Sequence, residues 1–192
     1  METLTTPEEL GRAEAAGRQV FQSFDGWSPQ PFRDTIEARL LIYPIDYTML
    51  EAEQFAALAA AAATVGDLTA YVVPYGARES GWEGTYDHSL LTLDDYLDYK
   101  PPDTLIIEHL LYSPRGAWGV VTSHGEYAAV GGAQGFVDTL RRHLPQREDE
   151  AVEMLVREWR EIGRSGGNVS WLRPLIAHLY GEDRAARVWD EG

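Results

Sequence analysis

The stretch from Thr104 to Val130, TLIIEHLLYSPRGAWGVVTSHGEYAAV, carries the strongest β pattern in the chain. Thr104–Tyr112 is rich in branched residues, Ser113-Pro114-Arg115-Gly116 is a turn sequence, and Ala117–Ser123 is a second apolar run. His124-Gly125 then reads as a two-residue turn into a third strand, Glu126–Val130. A four-residue loop pairs Tyr112 with Ala117, and a two-residue loop pairs Ser123 with Glu126. Alternation then puts His109, Leu111, Trp118, Val120, Tyr127 and Ala129 on one face of the meander. Glu108, Leu110, Tyr112, Val121, Ala128 and Val130 fall on the other. Both faces are largely apolar, so cover on both sides is expected for at least the middle of this three-strand unit.

Upstream, Thr6, Pro7, Glu8 and Glu9 form a capping box with proline at the first helical position. Leu10, Ala13, Gly17, Val20, Phe21 and Phe24 follow at helical spacing up to Gly26. Alternation from Ile36 to Tyr43 reads as a strand ended by Pro44. Thr48 and Glu51 suggest a second capping box, for a helix buried through Phe55, Leu58, Ala62 and Val65, with Gly66 at its C-terminal cap. Leu68–Val73 is a strand, Pro74–Ser89 a loop and Thr92–Tyr99 a short helix before Pro101-Pro102.

Downstream, Gly131-Gly132 reads as a turn, and apolar stripes then mark helices. They run through Phe136, Val137 and Leu140, through Val152, Leu155, Val156 and Trp159, and through Leu172, Leu175, Ile176 and Leu179. A short tail helix lies around Val188 and Trp189. The expected fold is α+β: a small mixed or antiparallel sheet including the 104–130 meander, flanked by helices, with an all-helical C-terminal third. One domain of 1–192 is expected, with a sheet-containing core over 1–145 and a helical subregion over 146–192.

With 192 residues, 44% hydrophobic and 11% aromatic, the chain can fill a core without staples, and it has no cysteine. Disulfides, thiolate metal sites and cysteine nucleophiles are excluded. Met1–Leu10 lacks the basic and apolar regions of a secretory signal, and no apolar run reaches the roughly 20 residues of a membrane helix. A cytoplasmic protein is expected. The net charge is −15, and the acidic excess is heaviest in the first hundred residues, which hold 17 acidic and 6 basic side chains. Such a field repels phosphate backbones and anionic membranes and attracts basic partners.

Few residues stand out as candidates for chemistry. Glu108 and His109 interrupt a strand but face opposite ways, so they cannot act as a pair. Glu108, among apolar neighbours, has the setting of a carboxylate with a raised pKa, and Asp87 beside His88 could orient one another as acid and base. No GxSxG accompanies Ser80, Ser89 or Ser123. His88, His109 and His124 lack HxH or HExxH spacing, so no metal is expected. Gly131-Gly132-Ala133-Gln134-Gly135 has neither the Lys and Ser/Thr of a P-loop nor GxGxxG spacing, and no cofactor is expected.

The densest feature is Glu79–Tyr99, where Trp82, Tyr86, Tyr96 and Tyr99 sit among Glu79, Glu83, Asp87, Asp94, Asp95 and Asp98 without a Lys or Arg. Aromatic anchors with steering carboxylates suit an interface with a basic protein. The turn residues Arg115 and His124 join Trp82, Glu83, Tyr86, Asp87, Asp94, Asp95, Asp98 and Tyr99 as the expected binding surface. From Leu110 to Leu140, LLYSPRGAWGVVTSHGEYAAVGGAQGFVDTL resembles small bacterial proteins of the toxin-immunity type. There, a strand ending Ser-Pro-x-Gly leads into Trp-Gly, a Gly-Gly turn and a helix. That resemblance implies a neutraliser that binds a cognate toxin and has no active site of its own. The leading expectation is thus a partner-binding protein. The alternatives are a small hydrolase or transferase using Glu108 or the Asp87/His88 pair, and a structural or adaptor subunit.

Overall fold

The structure is a computed structural model that describes residues 2–22, 28–74, 89–92, 96 and 108–190. The chain is α+β. In order, its elements are β1 (Glu2–Thr3), α1 (Pro7–Val20), β2 (Ala38–Ile42), α2 (Ala52–Thr64), β3 (Thr69–Pro74), β4 (Ser89–Thr92) and β5 (His109–Tyr112). There follow β6 (Trp118–Ser123), β7 (Tyr127–Gly132), α3 (Gln134–His143), α4 (Glu148–Arg164), α5 (Leu172–Tyr180) and α6 (Glu182–Asp190). The strands form one sheet in the order β1-β4-β3-β5-β6-β7-β2, and every pairing is antiparallel.

Helices cover both faces, as the apolar character of both sides of the meander requires. On one face α2 and α3 place Phe55, Leu58, Phe136 and Leu140 over Leu40, Val72, Leu111, Trp118, Val120 and Val130. On the other, α1, α4 and α5 bring Val20, Val152, Leu155, Leu172 and Ile176 onto Leu41, Leu110, Tyr112, Val121 and Ala129. The C-terminal helices therefore share a core with the sheet.

The observed registers differ from those expected, in two ways. Tyr112 pairs with Gly119 rather than Ala117, a shift of two residues that leaves every side chain on its expected face. Ser123 pairs with Tyr127 because the turn has three residues, with Glu126 in the left-handed region at φ 57°. The Glu126 N–H donates to the Ser123 carbonyl at 3.0 Å, a type I turn followed by a left-handed residue. That single extra residue reverses β7. Ala128 and Val130 join the Trp118 face, and Tyr127 and Ala129 move to the other.

Other boundaries also moved. The capping box at Thr6 and Glu9 forms, with Glu9 N–H donating to Thr6 Oγ1 at 3.2 Å and Thr6 N–H to Glu9 Oε2 at 3.1 Å. The first helix, however, stops at Val20, because Phe21 leaves it to bridge Phe32 in extended backbone. Thr48 is buried and does not cap α2; Glu51 is the N-cap, and its N–H donates to Gln54 Oε1 at 3.0 Å. Pro74 and Ser89, expected in a loop, belong to β3 and β4, and Thr92 ends a strand rather than starting a helix. The remainder of that expected helix, Tyr96 apart, and residues 104–107 lie outside the described residues. Gly131 and Gly132 are strand residues opposite Gly119 and Trp118, and neither has positive φ. A Cβ at Gly131 would sit 2.8 Å from Phe32 Cδ1, so close contact, not backbone conformation, demands glycine there.

Edge strand β2 is closed by α5. The Leu41 N–H donates to the Tyr180 hydroxyl at 2.7 Å, and Arg39 Nη1 donates to the His178 carbonyl at 2.8 Å. His178 Nε2 accepts the Phe32 N–H at 3.2 Å, which requires a neutral ring. Burial, and then the nearby Arg39 guanidinium, push its pKa down to about 4. An unfolded histidine titrates near ~6.5. The unfolded chain therefore binds more protons between those values, so the stability conferred by neutral His178 is complete above pH ~6.5 and is lost as pH falls toward 4. Thermal melts from pH 7.5 to 4.5 are expected to show a shallower decline for His178→Gln than for the native chain. Parallel curves would refute this account.

Candidate functional site

One end of the sheet gathers Glu108, His109 and His124. Pro74, the last described residue before the acidic segment, pairs with His109 at the start of β5; Ser89, where a strand within that segment begins, pairs with Val72, and Thr92, which precedes Asp94, Asp95 and Asp98, pairs with Thr69 at the other end of β3. The β6–β7 turn, bearing His124 and Glu126, and the end of β2 lie at this same end. Trp82, Glu83, Tyr86, Asp87, His88, Asp94, Asp95, Asp98 and Tyr99 lie outside the described residues. Of their segment, only β4 and Tyr96 are among the described residues.

Glu108 is buried and serves the turn. Its Oε1 accepts the His124 backbone N–H at 3.0 Å and faces His124 Nδ1 at 2.7 Å, while His124 itself is exposed. Gly125 N–H donates to Ser123 Oγ at 3.1 Å and completes the anchoring. As expected, Glu108 and His109 face opposite ways. His109, fully buried, lies between Tyr96 and Thr122, with Nε2 3.0 Å from the Tyr96 hydroxyl and Nδ1 3.1 Å from Thr122 Oγ1. Tyr96 is itself fully buried, stacked on Phe55 with ring centroids 4.4 Å apart, and its hydroxyl accepts the Leu50 N–H at 3.3 Å. One tyrosine of the acidic segment is therefore a core residue and not a surface anchor.

Arg115 stands apart from this end. It sits before β6, whose six residues at ~3.3 Å each span about 20 Å and put it at the opposite end of that strand from His124. Its Nε donates to Asp67 Oδ1 at 2.9 Å, and its Nη2 donates to the Val65 carbonyl. Asp67 is buried, and its Oδ2 accepts Ser113 Oγ–H at 2.7 Å and Trp118 Nε1–H at 2.9 Å. Nothing in the sequence around Asp67 advertised this hub. Beside the turn preceding β6, a cleft of about 560 Å³ is lined by Arg18, Arg33, Glu37 and Ala133, among others. There Glu37 Oε2 already accepts the Gln134 N–H at the start of α3, at 3.1 Å, and Arg18 is paired with Glu14.

Near the His124 turn, the Tyr43 hydroxyl donates to Glu158 Oε2. Burial, then that carboxylate, raise its pKa well above the ordinary tyrosine value, and Glu126 adds to the effect. Asp46, Glu51 and Glu126 are exposed around a groove of about 680 Å³ formed by residues 44–52, and none has an ion-pair partner among the described residues. Glu8, Glu14, Asp138, Glu148, Asp149 and Glu182 each face an arginine, whereas exposed Glu53, Glu150, Glu153, Glu161 and Asp183, like the groove acids, make no ion pair among the described residues. The exposed acids of this sheet end add negative charge at the groove, while Arg157 opposes Glu126 at the nearby Tyr43 hydroxyl and Glu51 sits at the N-terminus of α2. Tyr47 stands on the rim with φ 55°, a conformation that no sequence pattern announces for a tyrosine.

Among the described residues no group of three or more His, Asp or Glu side chains is placed to hold a metal ion, and no helix is long and apolar enough to cross a membrane. No protein-family model, curated protein or solved structure matches the chain.

Proposed function

We propose that this chain binds a basic protein partner and neutralises or regulates it, in the manner of an immunity protein, through the sheet end that carries the acidic segment. The observation that supports this reading is the coincidence of charge at one place. At the sheet end where the chain enters the acidic segment after Pro74, Glu126, Asp46 and Glu51 line one groove, and none of them makes an ion pair among the described residues. Long-range attraction draws in the partner, and aromatic side chains such as Trp82 then supply desolvated contact area. Affinity is accordingly dominated by steering at low salt and falls as salt screens the field.

The test is capture from native-host lysate by the native chain and by a variant carrying Trp82→Ala, Glu83→Arg and Asp87→Arg. The native chain is expected to retain one basic protein at low salt and release it at high salt, and the variant is expected to retain about tenfold less or none. Equal retention by both chains would show that the surface is misplaced. No basic protein on the native chain would defeat the reading itself.

A further inference from the structure

The groove under Tyr47 has a shape and chemistry more specific than an acidic surface. Its floor is apolar: Ile45 and Leu50 are buried and Met49 is half-buried. The Ile45 N–H donates to the Glu126 carbonyl at 2.8 Å, which ties the end of β2 to the β6–β7 turn and sets that turn against the groove. Reciprocal bonds between Asp46 and Met49, N–H to carbonyl at 3.0 and 2.8 Å, close the 46–49 turn and hold Tyr47 outward. Tyr47 is 63% exposed, one of the few large apolar side chains so exposed among the described residues.

Two residues bordering this groove, Tyr47 and Glu126, adopt the left-handed conformation at φ 55° and 57°. Asn or Gly would fit both positions with less strain, so each side chain is held there at a cost in stability. Tyr47 is exposed, and Glu126 makes no ion pair among the described residues. An aromatic face, an apolar floor and three carboxylates complement one kind of occupant: a long cationic side chain with an apolar stem. Arginine fits best, since its planar guanidinium stacks on aromatic rings and donates to two carboxylates at once. Lysine offers only a point charge.

We propose that the groove bounded by Tyr47, Asp46, Glu51 and Glu126 receives an arginine-bearing segment of a basic partner. The guanidinium stacks on the Tyr47 ring between the carboxylates, and the stem lies on Met49. The inference rests on the reading of the chain as a binder of a basic protein and names a site for it outside the acidic segment.

The probe is an acetylated hexa-arginine amide, titrated at about 0.15 M salt so that loose surface attraction is screened, with hexa-lysine as the comparison. Amide shifts followed by NMR are expected to concentrate at residues 44–52 and 124–127, with arginine binding more tightly than lysine. The variant Tyr47→Asn/Glu126→Asn keeps left-handed backbone at both positions. It is expected to melt no lower than the native chain yet to bind hexa-arginine roughly five- to tenfold more weakly. Shifts centred elsewhere, or unchanged affinity in the variant, overturn the assignment. In lysate capture, a basic protein held equally by the native chain and this variant overturns the groove while leaving the proposed function standing. Loss of that protein from the variant alone supports both.

Discussion

Replacing Asp67 by alanine is expected to lower the unfolding free energy by about 3–5 kcal/mol. Asp67 follows α2 in a Schellman arrangement, with Gly66 left-handed at φ 78° and the Asp67 N–H donating to the Ala62 carbonyl at 3.0 Å. From there its carboxylate joins the end of α2 to the β5–β6 hairpin. It satisfies the buried Trp118 indole N–H and Ser113 hydroxyl at 2.9 and 2.7 Å. Alanine leaves both donors buried without that acceptor, at about 1–3 kcal/mol each. The Arg115 pair adds less, because 57% of that side chain is exposed and the attraction is screened. Arg115→Ala is accordingly expected to cost about 1 kcal/mol. Urea denaturation of both variants measures the difference. A loss below about 1 kcal/mol for Asp67→Ala would mean that the donors find other acceptors.

The second large effect concerns Gly119 and Gly131, which are cross-strand partners next to the Trp118–Gly132 end of β6 and β7. Their missing side chains form a shallow notch on which Phe21 and Phe32 lie, with ring centroids 5.9 Å apart. Phe21 also meets Tyr112 edge-on at 5.7 Å. A Cβ at Gly119 would stand 2.5 Å from Phe21 Cζ and 2.8 Å from Val20 Cγ1, and both residues are fully buried. Gly119→Ala is expected to cost about 3 kcal/mol through this overpacking. A double-mutant cycle isolates the cause: in a Phe21→Ala background the added methyl has room, so the paired changes should cost at least ~1 kcal/mol less than their sum. Additive effects would place the strain elsewhere.

Legibility in the sequence followed the range of the interaction that decides each feature. Helix starts at Thr6 and helix stripes through Val152, Leu155 and Leu172 were readable, because capping and amphipathic spacing are local. Two-sided cover of the meander was readable from its apolar content. The register of β7 was not, since it turned on whether Glu126 counts as a turn residue, and a left-handed glutamate has no composition signal. The end of α1 was equally hidden: Phe21 and Phe24 continue the helical stripe, but Phe21 pairs with Phe32 over a glycine notch formed by residues about a hundred positions away.

The candidate site divides along the same line. Glu108, His109 and His124 could be picked out as polar residues in an apolar meander, and their opposite faces follow from alternation alone. That Glu108 anchors the His124 turn, or that Tyr47 and Glu126 line one groove, depends on strands β2, β5, β6 and β7 meeting at one end. By itself the sequence determined the fold class, the helical C-terminal third, the two-sided burial of the sheet and the direction of the charge. Only the tertiary structure decided strand order, the β7 register, the Asp67 hub and the composition of the groove. Local spacing encodes which elements form, whereas contacts between distant segments depend on how those elements are packed together.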